Sequence, residues 1–492
     1  MTFMNKGLRK LGEIMGSDGI LREVELSSSS QSMIHDFKIN DQTTISLTVP
    51  PTVYPPRRDT ELMLSGLETL KVQSGGLVEI GCGSGAISIA MALAGWNVTA
   101  FDVNPLAVAA TRGNAELAGI GREITVEEGG VGEENWSIPS EADILVWNLP
   151  YLNPDFKNTL GPMEEAALSD EPEIGWLKTL LNLAEEEQNH GRVFILLLNT
   201  DSNSKSSPKT WAMRGWARRT LASERVGDDT LEVVAFWKPG FASIPAYKET
   251  SESTMDDARK LPLEGWQRIR AGEQISGRGR RGAIWHSSEG DMTASWSVSI
   301  EVLNRWTPGL LQVAIGASIS EALGVELKWP NDLIFEGKKC GGILLESSTA
   351  DGRVRIGVGL NKYRREYEGI FYSGWNEYMG EKDSEVIFQI IDASIASILD
   401  PSPPIPTSDV DFWKSKCWDS LSRNLSRGTL TEFNKEYVKI VGEDDAARAF
   451  ANEVIDAELV YVVEEEKNEA PEESGEERND AETTPEVNDQ GV

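Results

Sequence analysis

Apolar and polar positions follow a regular pattern between residues 53 and 240. Short apolar runs typical of buried strands stand at 76–81, 97–103, 142–148, 192–200 and 231–239. Two stretches with helical spacing, 86–95 and 105–119, follow the first two runs. Strands that alternate with helices are typical of a doubly wound, mostly parallel sheet. We therefore predict an α/β domain over residues 45–240, preceded by a short strand or hairpin arm at 43–49.

A different pattern follows the Gly- and Pro-rich break near residues 238–246. Helical patterns at 254–261 and 308–323 stand among strand-like runs that follow one another directly, as at 293–302. Consecutive strands predict an α+β domain over residues 245–400. A Pro-rich linker at 400–406 then leads to a small β-rich unit at 408–463.

The two ends of the chain differ from these domains in composition. Residues 1–44 form a polar lead-in with four consecutive serines. Residues 464–492 carry twelve acidic and two basic side chains and almost no apolar ones. Such a segment cannot bury enough apolar surface to offset the entropy of ordering, so we expect a disordered acidic tail.

Charge and rare residues limit the possible functions. The chain has 492 residues and a formal net charge of −32, which repels phosphate backbones, so nucleic acid is an unfavoured partner. No run of about 18 apolar residues predicts a membrane span. Three cysteines and three histidines, widely spaced, form neither a metal motif nor a disulfide framework. These features favour a cytoplasmic protein.

The first candidate site is a glycine-rich turn in "VEIGCGSGAISIA" (78–90). Gly81, Gly83 and Gly85 allow a sharp turn between strand and helix and a close approach to a ligand. Asp102 ends the next predicted strand, where a carboxylate can bind a ribose diol. By itself this Rossmann-like pattern also suits a dinucleotide.

The sequence "NLPY" (148–151), after a further strand, favours a methyl donor instead. Together with "VYPPRRDTELML" (53–64) and "FDVNPLAV" (101–108), it resembles HemK-type class I methyltransferases, which use S-adenosylmethionine to methylate protein glutamines such as those of release factors. The resemblance implies two groups of site residues. The donor would be bound by Glu79, Gly81, Gly83, Gly85, Asp102 and Asn148, and the acceptor by Asn148, Leu149, Pro150 and Tyr151.

Methyl transfer from a sulfonium depends mainly on positioning, because the donor is already activated. The side-chain oxygen of Asn148 and the backbone carbonyl of Leu149 can each accept one N–H bond from the acceptor amide. Leu149 stands where the family has proline, so activity or acceptor could differ. Two other interpretations stay open: a motif with purely structural duties, and methylation of the exocyclic amine of adenine in nucleic acid.

The second candidate site is the basic run "GRGRRGAIW" (277–285). With "SESTMDDAR" (251–259), "KWPNDLIFEGKKCGGILLE" (328–346) and "RIGVGLN" (355–361), it closely resembles biotin protein ligases, whose catalytic domain is similar to class II synthetases. Those enzymes join the biotin carboxylate to the α-phosphate of ATP and then transfer biotin to a lysine of a carrier domain. Both steps concentrate negative charge, which arginines on a mobile glycine loop can bind and shield from water. A solvated basic loop or a nucleic-acid patch is the alternative.

The resemblance assigns further residues to the ligase site. Lys339 and Arg280 would be catalytic, although Lys338 adjoins Lys339 and could take its place. Biotin would contact Ser253, Thr254, Gln274, Gly277, Arg278, Lys339, Gly341, Gly342 and Gly357, with Gly359 nearby. ATP would contact Arg278, Arg280, Arg281, Trp285, Asn331, Asp332 and Asn361, and Asp332 would also bind Mg²⁺. Ala283 stands where the family has arginine, which predicts looser retention of the adenylate.

The combined prediction is a bifunctional enzyme, a methyltransferase fused to a biotin–carrier ligase. Its expected ligands are ATP, Mg²⁺, biotin and S-adenosylmethionine. Its expected partners are the biotin carboxyl carrier domain of a carboxylase and a translation release factor. The rival interpretation is a ligase fused to a domain that binds donor or partner without turnover.

Overall fold

The computed structural model describes residues 31–134, 136–150, 175–200, 207–226, 229–241 and 243–425, and short strands between 430 and 460. Most of the predicted lead-in and the whole acidic tail lie outside the described residues. The described chain starts with a hairpin of β1 (Met33–Lys38), inside the segment assigned to the lead-in, and β2 (Thr44–Val49), which matches the strand or hairpin arm predicted at 43–49. The hairpin is tied to the first domain because Asn114 exchanges two hydrogen bonds with the backbone of Thr48.

The first domain contains a seven-stranded sheet in the order β5-β4-β3-β6-β7-β9-β8. Its strands are β3 (Gly76–Ile80), β4 (Asn97–Asp102), β5 (Ile124–Glu128), β6 (Ile144–Asn148), β7 (Val193–Asn199), β8 (Ala217–Val226) and β9 (Asp229–Trp237). Five strands are parallel, and β9 and β8 are antiparallel additions. The predicted α/β fold is confirmed, but the sequence did not single out the two edge strands, β5 and β8.

Helices precede or connect several strands of this sheet. They are α1 (Arg58–Leu67), α2 (Ala86–Leu93), α3 (Pro105–Leu117), α4 (Trp176–Ala184) and α5 (Lys209–Ala212). The start of helix α3 could be predicted from the sequence because it carries local signals. Asn104 caps its first turn by accepting from the backbone N–H of Leu106, and Pro105 follows.

The second domain contains another seven-stranded sheet, in the order β10-β11-β14-β18-β17-β16-β15. Only β10 and β11 pair in parallel. The strands are β10 (Ala246–Ser251), β11 (Gln267–Gln274), β14 (Met292–Ser299), β15 (Glu326–Lys328), β16 (Asp332–Phe335), β17 (Lys338–Ser348) and β18 (Arg353–Leu360). This mixed sheet confirms the α+β prediction.

Small elements complete the second domain. Two hairpins, β12 (Gly277–Arg278) with β13 (Ile284–Trp285) and β19 (Arg365–Tyr367) with β20 (Ile370–Tyr372), lie beside the sheet. Its helices are α6 (Thr254–Asp257), α7 (Pro308–Leu323), α8 (Asn376–Met379) and α9 (Ser384–Leu399).

The C-terminal unit begins with a helix rather than a strand. Helix α10 (Val410–Leu425) packs against α7 of the second domain. Short strands follow it: β21 (Leu430–Phe433), β22 (Glu436–Lys439), β23 (Gly442–Glu443), β24 (Ala449–Phe450) and β25 (Glu458–Val460). None of the helices among the described residues is both long and apolar enough to cross a membrane.

The two domains share one buried core. A single cluster of buried apolar side chains includes Val233 in β9 and Ile395 in α9. At its edge the guanidinium of Arg219 donates to four backbone carbonyls, those of Ala396, Ser397, Asp400 and Pro406. The Pro-rich segment predicted as a linker is therefore fixed between the domains.

Candidate functional sites

The first site lies at the carboxyl ends of β3, β4 and β6. A cavity of about 250 Å³ is lined by the glycine-rich turn, by the loop at residues 52–56, and by Asn148 and Trp176. Gly81, Gly83 and Gly85 all have positive φ angles, which glycine adopts without strain. A side chain at Gly85 would also come within 2.9 Å of Thr111. The predicted sharp turn is thus present and opens into a pocket.

Two carboxylates of the predicted donor site line this cavity. Asp102 accepts from the backbone N–H groups of Gly83 and Asn104, both at 2.9 Å, so it fixes the glycine turn. Glu79 is buried and accepts a hydrogen bond from Ser88. Burial raises the pKa of Glu79 to about 8 and also raises the pKa of Asp102. A cationic ligand would favour the ionised form of both groups.

Asn148 ends β6 at the cavity, and a buried carboxylate orients it. Its side-chain N–H donates to Asp59 at 2.9 Å, and Asp59 also accepts from the backbone of Thr60. This bond engages the amide nitrogen of Asn148, which leaves its oxygen as the acceptor for a ligand. Asp59 lies within the motif at 53–64, but its role is not visible in the sequence, because the contact joins residues far apart in the chain.

The other predicted acceptor residues differ in position. Pro150 lines the cavity. Leu149 is fully buried in a separate cluster of apolar side chains that includes Leu145 and Leu177, which explains how a leucine is accommodated there. Tyr151 lies outside the described residues. Trp147 and Trp176, which the sequence did not single out, line the pocket as an edge-to-face pair with ring centroids 5.8 Å apart.

The second site is a cavity of about 500 Å³ between the sheet of the second domain and the hairpin β12–β13. One wall is neutral and polar. Thr254 donates to Gln274 through its backbone N–H at 2.8 Å and its hydroxyl at 2.9 Å, and it accepts from Ser295. The hydroxyl of Ser253 is buried and has no protein partner among the described residues. Such a group is satisfied when a ligand binds it.

The opposite wall is charged. Lys339 pairs with Asp332 at 2.7 Å, and Arg280 donates to Asn331 at 3.4 Å. These four residues line the cavity, whereas Lys338 is not among the lining residues. The geometry therefore favours Lys339 over its neighbour. The side chain of Arg281 lies outside the described residues.

Two predicted ligand contacts have other partners in the structure. Asn361 is buried, donates to the carbonyl of Ser373 and accepts from Arg365, and it is not among the described residues that line the cavity. Arg278 lines the cavity, but its guanidinium donates to both carboxylate oxygens of Asp256. Asn361 thus lies outside the described lining of this cavity, and its contact with ATP stays a prediction.

Some glycines of this site make room for neighbouring side chains, and not only for a ligand. Gly359 lies under the indole of Trp285, where an added Cβ would come within 2.5 Å of the ring. Trp285 lines the cavity, and its indole N–H is buried without a partner among the described residues. Gly342 and Gly357 line the same cavity. Gly277 is outside its described lining and lies against Gln274 and Trp285, and Gly341 packs against Leu360.

Comparison with known proteins supports a different class for each domain. Residues 245–361 match the profile of the Biotin/lipoate A/B protein ligase family, and residues 58–167 match that of Ribosomal protein L11 methyltransferase (PrmA). The chain thus combines a biotin ligase domain with a methyltransferase-like α/β domain. These matches identify the class of each domain, but they do not distinguish the HemK-type acceptor specificity expected from the sequence.

Individual relatives cover the two domains separately. The "Bifunctional ligase/repressor BirA" of Bacillus subtilis is 40% identical over 127 residues, 23% of this chain and 39% of that protein. A "Putative protein N5-glutamine methyltransferase" of Methanocaldococcus jannaschii is 35% identical over 109 residues, 22% of this chain and 52% of that protein. The solved biotin protein ligase of Aquifex aeolicus with biotin and ATP aligns at 24% identity and a TM-score of 0.36, covering 44% of this chain and 96% of that one.

Proposed function

We propose that the second domain attaches biotin to a lysine of a carrier protein, through biotinyl-AMP. The observation that carries this proposal is the two-sided cavity. Its neutral wall, Ser253, Thr254 and Gln274, suits the ureido ring of biotin, which is polar but uncharged. Its cationic wall, with Arg280 and Lys339, suits a carboxylate next to a phosphate.

The first step would join the two substrates. A biotin carboxylate oxygen attacks the α-phosphorus of ATP, the bond to the β-phosphate oxygen breaks, and pyrophosphate leaves. Lys339 stabilises the negative charge on the α-phosphoryl oxygens in the transition state. Asp332 now pairs with Lys339 and supplies one carboxylate, the number that Mg²⁺ commonly takes from protein when phosphates complete its coordination. Mg²⁺ bound there would screen the charge of the phosphates.

The second step would transfer biotin. The neutral amine of the carrier lysine attacks the carbonyl carbon of the mixed anhydride, AMP leaves, and the amine proton passes to solvent. Trp285 and the hairpin β12–β13 exclude water until then, since the anhydride hydrolyses readily.

The test of the ligase is ATP–pyrophosphate exchange with a matched pair of variants. K339A should abolish exchange while biotin, measured by calorimetry, still binds through the intact neutral wall. K338A removes the neighbouring charge outside the cavity lining and should retain exchange. Normal exchange in K339A would refute the assignment of Lys339.

We further propose that the first domain methylates a protein glutamine with S-adenosylmethionine, which would supply an activated methyl group when bound. Support comes from the Asp59–Asn148 hydrogen bond, because it presents the Asn148 oxygen to an amide acceptor. The acceptor nitrogen attacks the methyl carbon, the carbon–sulfur bond breaks, and the amide loses a proton. Asn148 stabilises the positive charge that develops on the nitrogen.

The test of the methyltransferase is transfer of a labelled methyl group. The purified chain is incubated with tritium-labelled S-adenosylmethionine and either release factor, ribosomal protein or nucleic acid, and the N148A variant is treated in the same way. We expect label in release-factor glutamine, absent with N148A although donor binding persists. Label in a ribosomal protein or in adenine would replace the proposed acceptor. No label with donor bound would reduce the domain to a binding module.

A further inference from the structure

The hairpin β12–β13 forms a lid over the ligase cavity. The hairpin itself has few internal contacts. Only two residue pairs bridge its strands, Gly277 with Trp285 and Arg278 with Ile284. The turn between them is closed by a hydrogen bond from the backbone of Gly279 to Ala283 at 2.7 Å. Since a short two-stranded hairpin is at best marginally stable in water, contacts outside the lid must hold it in place.

Arg278 supplies such a contact. Its two terminal nitrogens donate to the two oxygens of Asp256 in α6 at 3.0 and 3.1 Å, a bidentate pair. The same guanidinium lies 3.6 Å from Glu346 in β17, which in turn lies 3.5 Å from Arg355 in β18. Arg355 is buried and also pairs with Asp351 at 2.5 Å. Alternating charges therefore connect the lid to the central sheet.

The strength of the pair suits a lid that must open. The side chains of Arg278 and Asp256 are 38% and 47% exposed. A partly exposed ion pair is weakened by salt and contributes modestly, so it can break when the carrier arrives. By contrast, Arg280 in the same lid reaches Asn331 within the cavity.

We propose that Asp256 is a positioning residue of the ligase, which holds the lid closed through Arg278 and so sets how long the acyl-adenylate is retained. This inference rests on the proposed ligase function. It assigns Arg278 to lid closure, whereas Arg280 and Lys339 contact the reacting groups. The opposing possibility is that Arg278 binds the adenylate directly and that Asp256 holds Arg278 only when no ligand is bound.

The first experiment compares D256N with the wild type. Adenylate is formed with biotin and α-labelled ATP, and its escape into a trap of unlabelled ligands is timed. Escape from D256N should be about fivefold faster at low ionic strength, the effect of losing one exposed ion pair. Biotin affinity should not change, because Thr254 and Gln274 keep their hydrogen bonds. D41N, which breaks the exposed Lys38–Asp41 pair of the first domain, is the matched control.

Salt dependence separates this role from a general loss of structure. Raising the ionic strength should accelerate escape from the wild type towards the D256N rate and have a smaller effect on D256N, which lacks this pair but keeps Arg280 and Lys339. The charge-exchanged variant D256R/R278D should retain adenylate better than R278D alone. Wild-type escape rates in D256N, or no recovery in the exchanged variant, would overturn the inference.

A last readout needs no enzymatic activity. Trypsin cuts after arginine, so cleavage within residues 278–281 of the full chain reports lid opening, and it should be faster in D256N than in D41N. If the wild type formed no adenylate, the proposed function would fail. If adenylate formed but lid cleavage and escape were unchanged in D256N, only the inference about Asp256 would fail.

Discussion

Replacing Arg219 by alanine should destabilise both domains together. Arg219 lies in the edge strand β8 of the first domain, is 5% exposed, and donates to four carbonyls at the end of α9 and in the segment after it. It also lies 5.0 Å from the ring of Trp237, whose indole N–H donates to Asp400. Burial lowers the pKa of Arg219 to about 10, which still leaves it charged near neutral pH.

The expected cost follows from these contacts. R219A removes a buried charge and leaves its four carbonyl acceptors without that donor, and losing one partner of a buried charged interaction typically costs about 3–5 kcal/mol. A cooperative unit of about 400 residues has an unfolding entropy of about 0.8 kcal/mol per degree. We therefore expect the unfolding temperature to fall by about 5 °C. R218A, one position earlier, breaks only the partly exposed pair with Glu321 and should cost less than about 1 kcal/mol.

Differential scanning calorimetry provides the test. Each protein is measured alone and with the ligand of one site or the other added. The wild type should unfold in one transition, and the ligand of one site should raise the unfolding temperature of the whole chain. In R219A the transition should move down or separate into two. Two independent transitions in the wild type, each shifted by only one ligand, would refute the shared core. An R219A curve matching that of R218A would refute the role of Arg219.

Three further outcomes follow from the sites. D59N should lower the rate constant for methyl transfer without weakening donor binding, because it can turn the Asn148 amide; single-turnover kinetics would show this. Burial raises the pKa of Glu79 from 4.5 to about 8, so its stabilising contribution is complete below pH 4.5 and is lost as pH rises through about 8. The unfolding temperature of the wild type should therefore fall relative to that of E79Q as pH rises. G359A should push Trp285 from the cavity and weaken ATP binding about tenfold, measurable by tryptophan fluorescence.

The elements that the sequence predicted well are those with local signals. Helix α7 has Pro308 in its first turn and Gly324 in a left-handed conformation just after its end, so its start and stop signals are both visible in the chain. Strand β7 is buried along its whole length and reads as one apolar run. Strand β8 is different, because Arg218 and Arg219 contact the second domain and make the run look polar.

The same distinction holds for the sites. Ser253, Gln274 and Lys339 were found from motifs, and the structure brings them to one cavity. Asp59 and Asp256 were not found, since each acts on a residue supplied by another element, 89 and 22 positions away in the chain. Their role depends on tertiary contacts that no spacing rule encodes.

The interface also explains why these two domains tolerate being joined. Strand β8 is an edge strand, and an exposed edge offers unpaired backbone groups to other chains. Here α9 of the ligase domain covers it: the backbone N–H of Arg218 donates to the side chain of Ser397 at 3.0 Å. Beyond α9, Lys71 of the first domain donates through its backbone to Pro404 at 3.0 Å. Because the edge of one domain is protected by the other, separating them would expose a polar sheet edge and an apolar helix face together. The ligase domain cut before residue 245 should therefore aggregate, although its cavity residues are all retained.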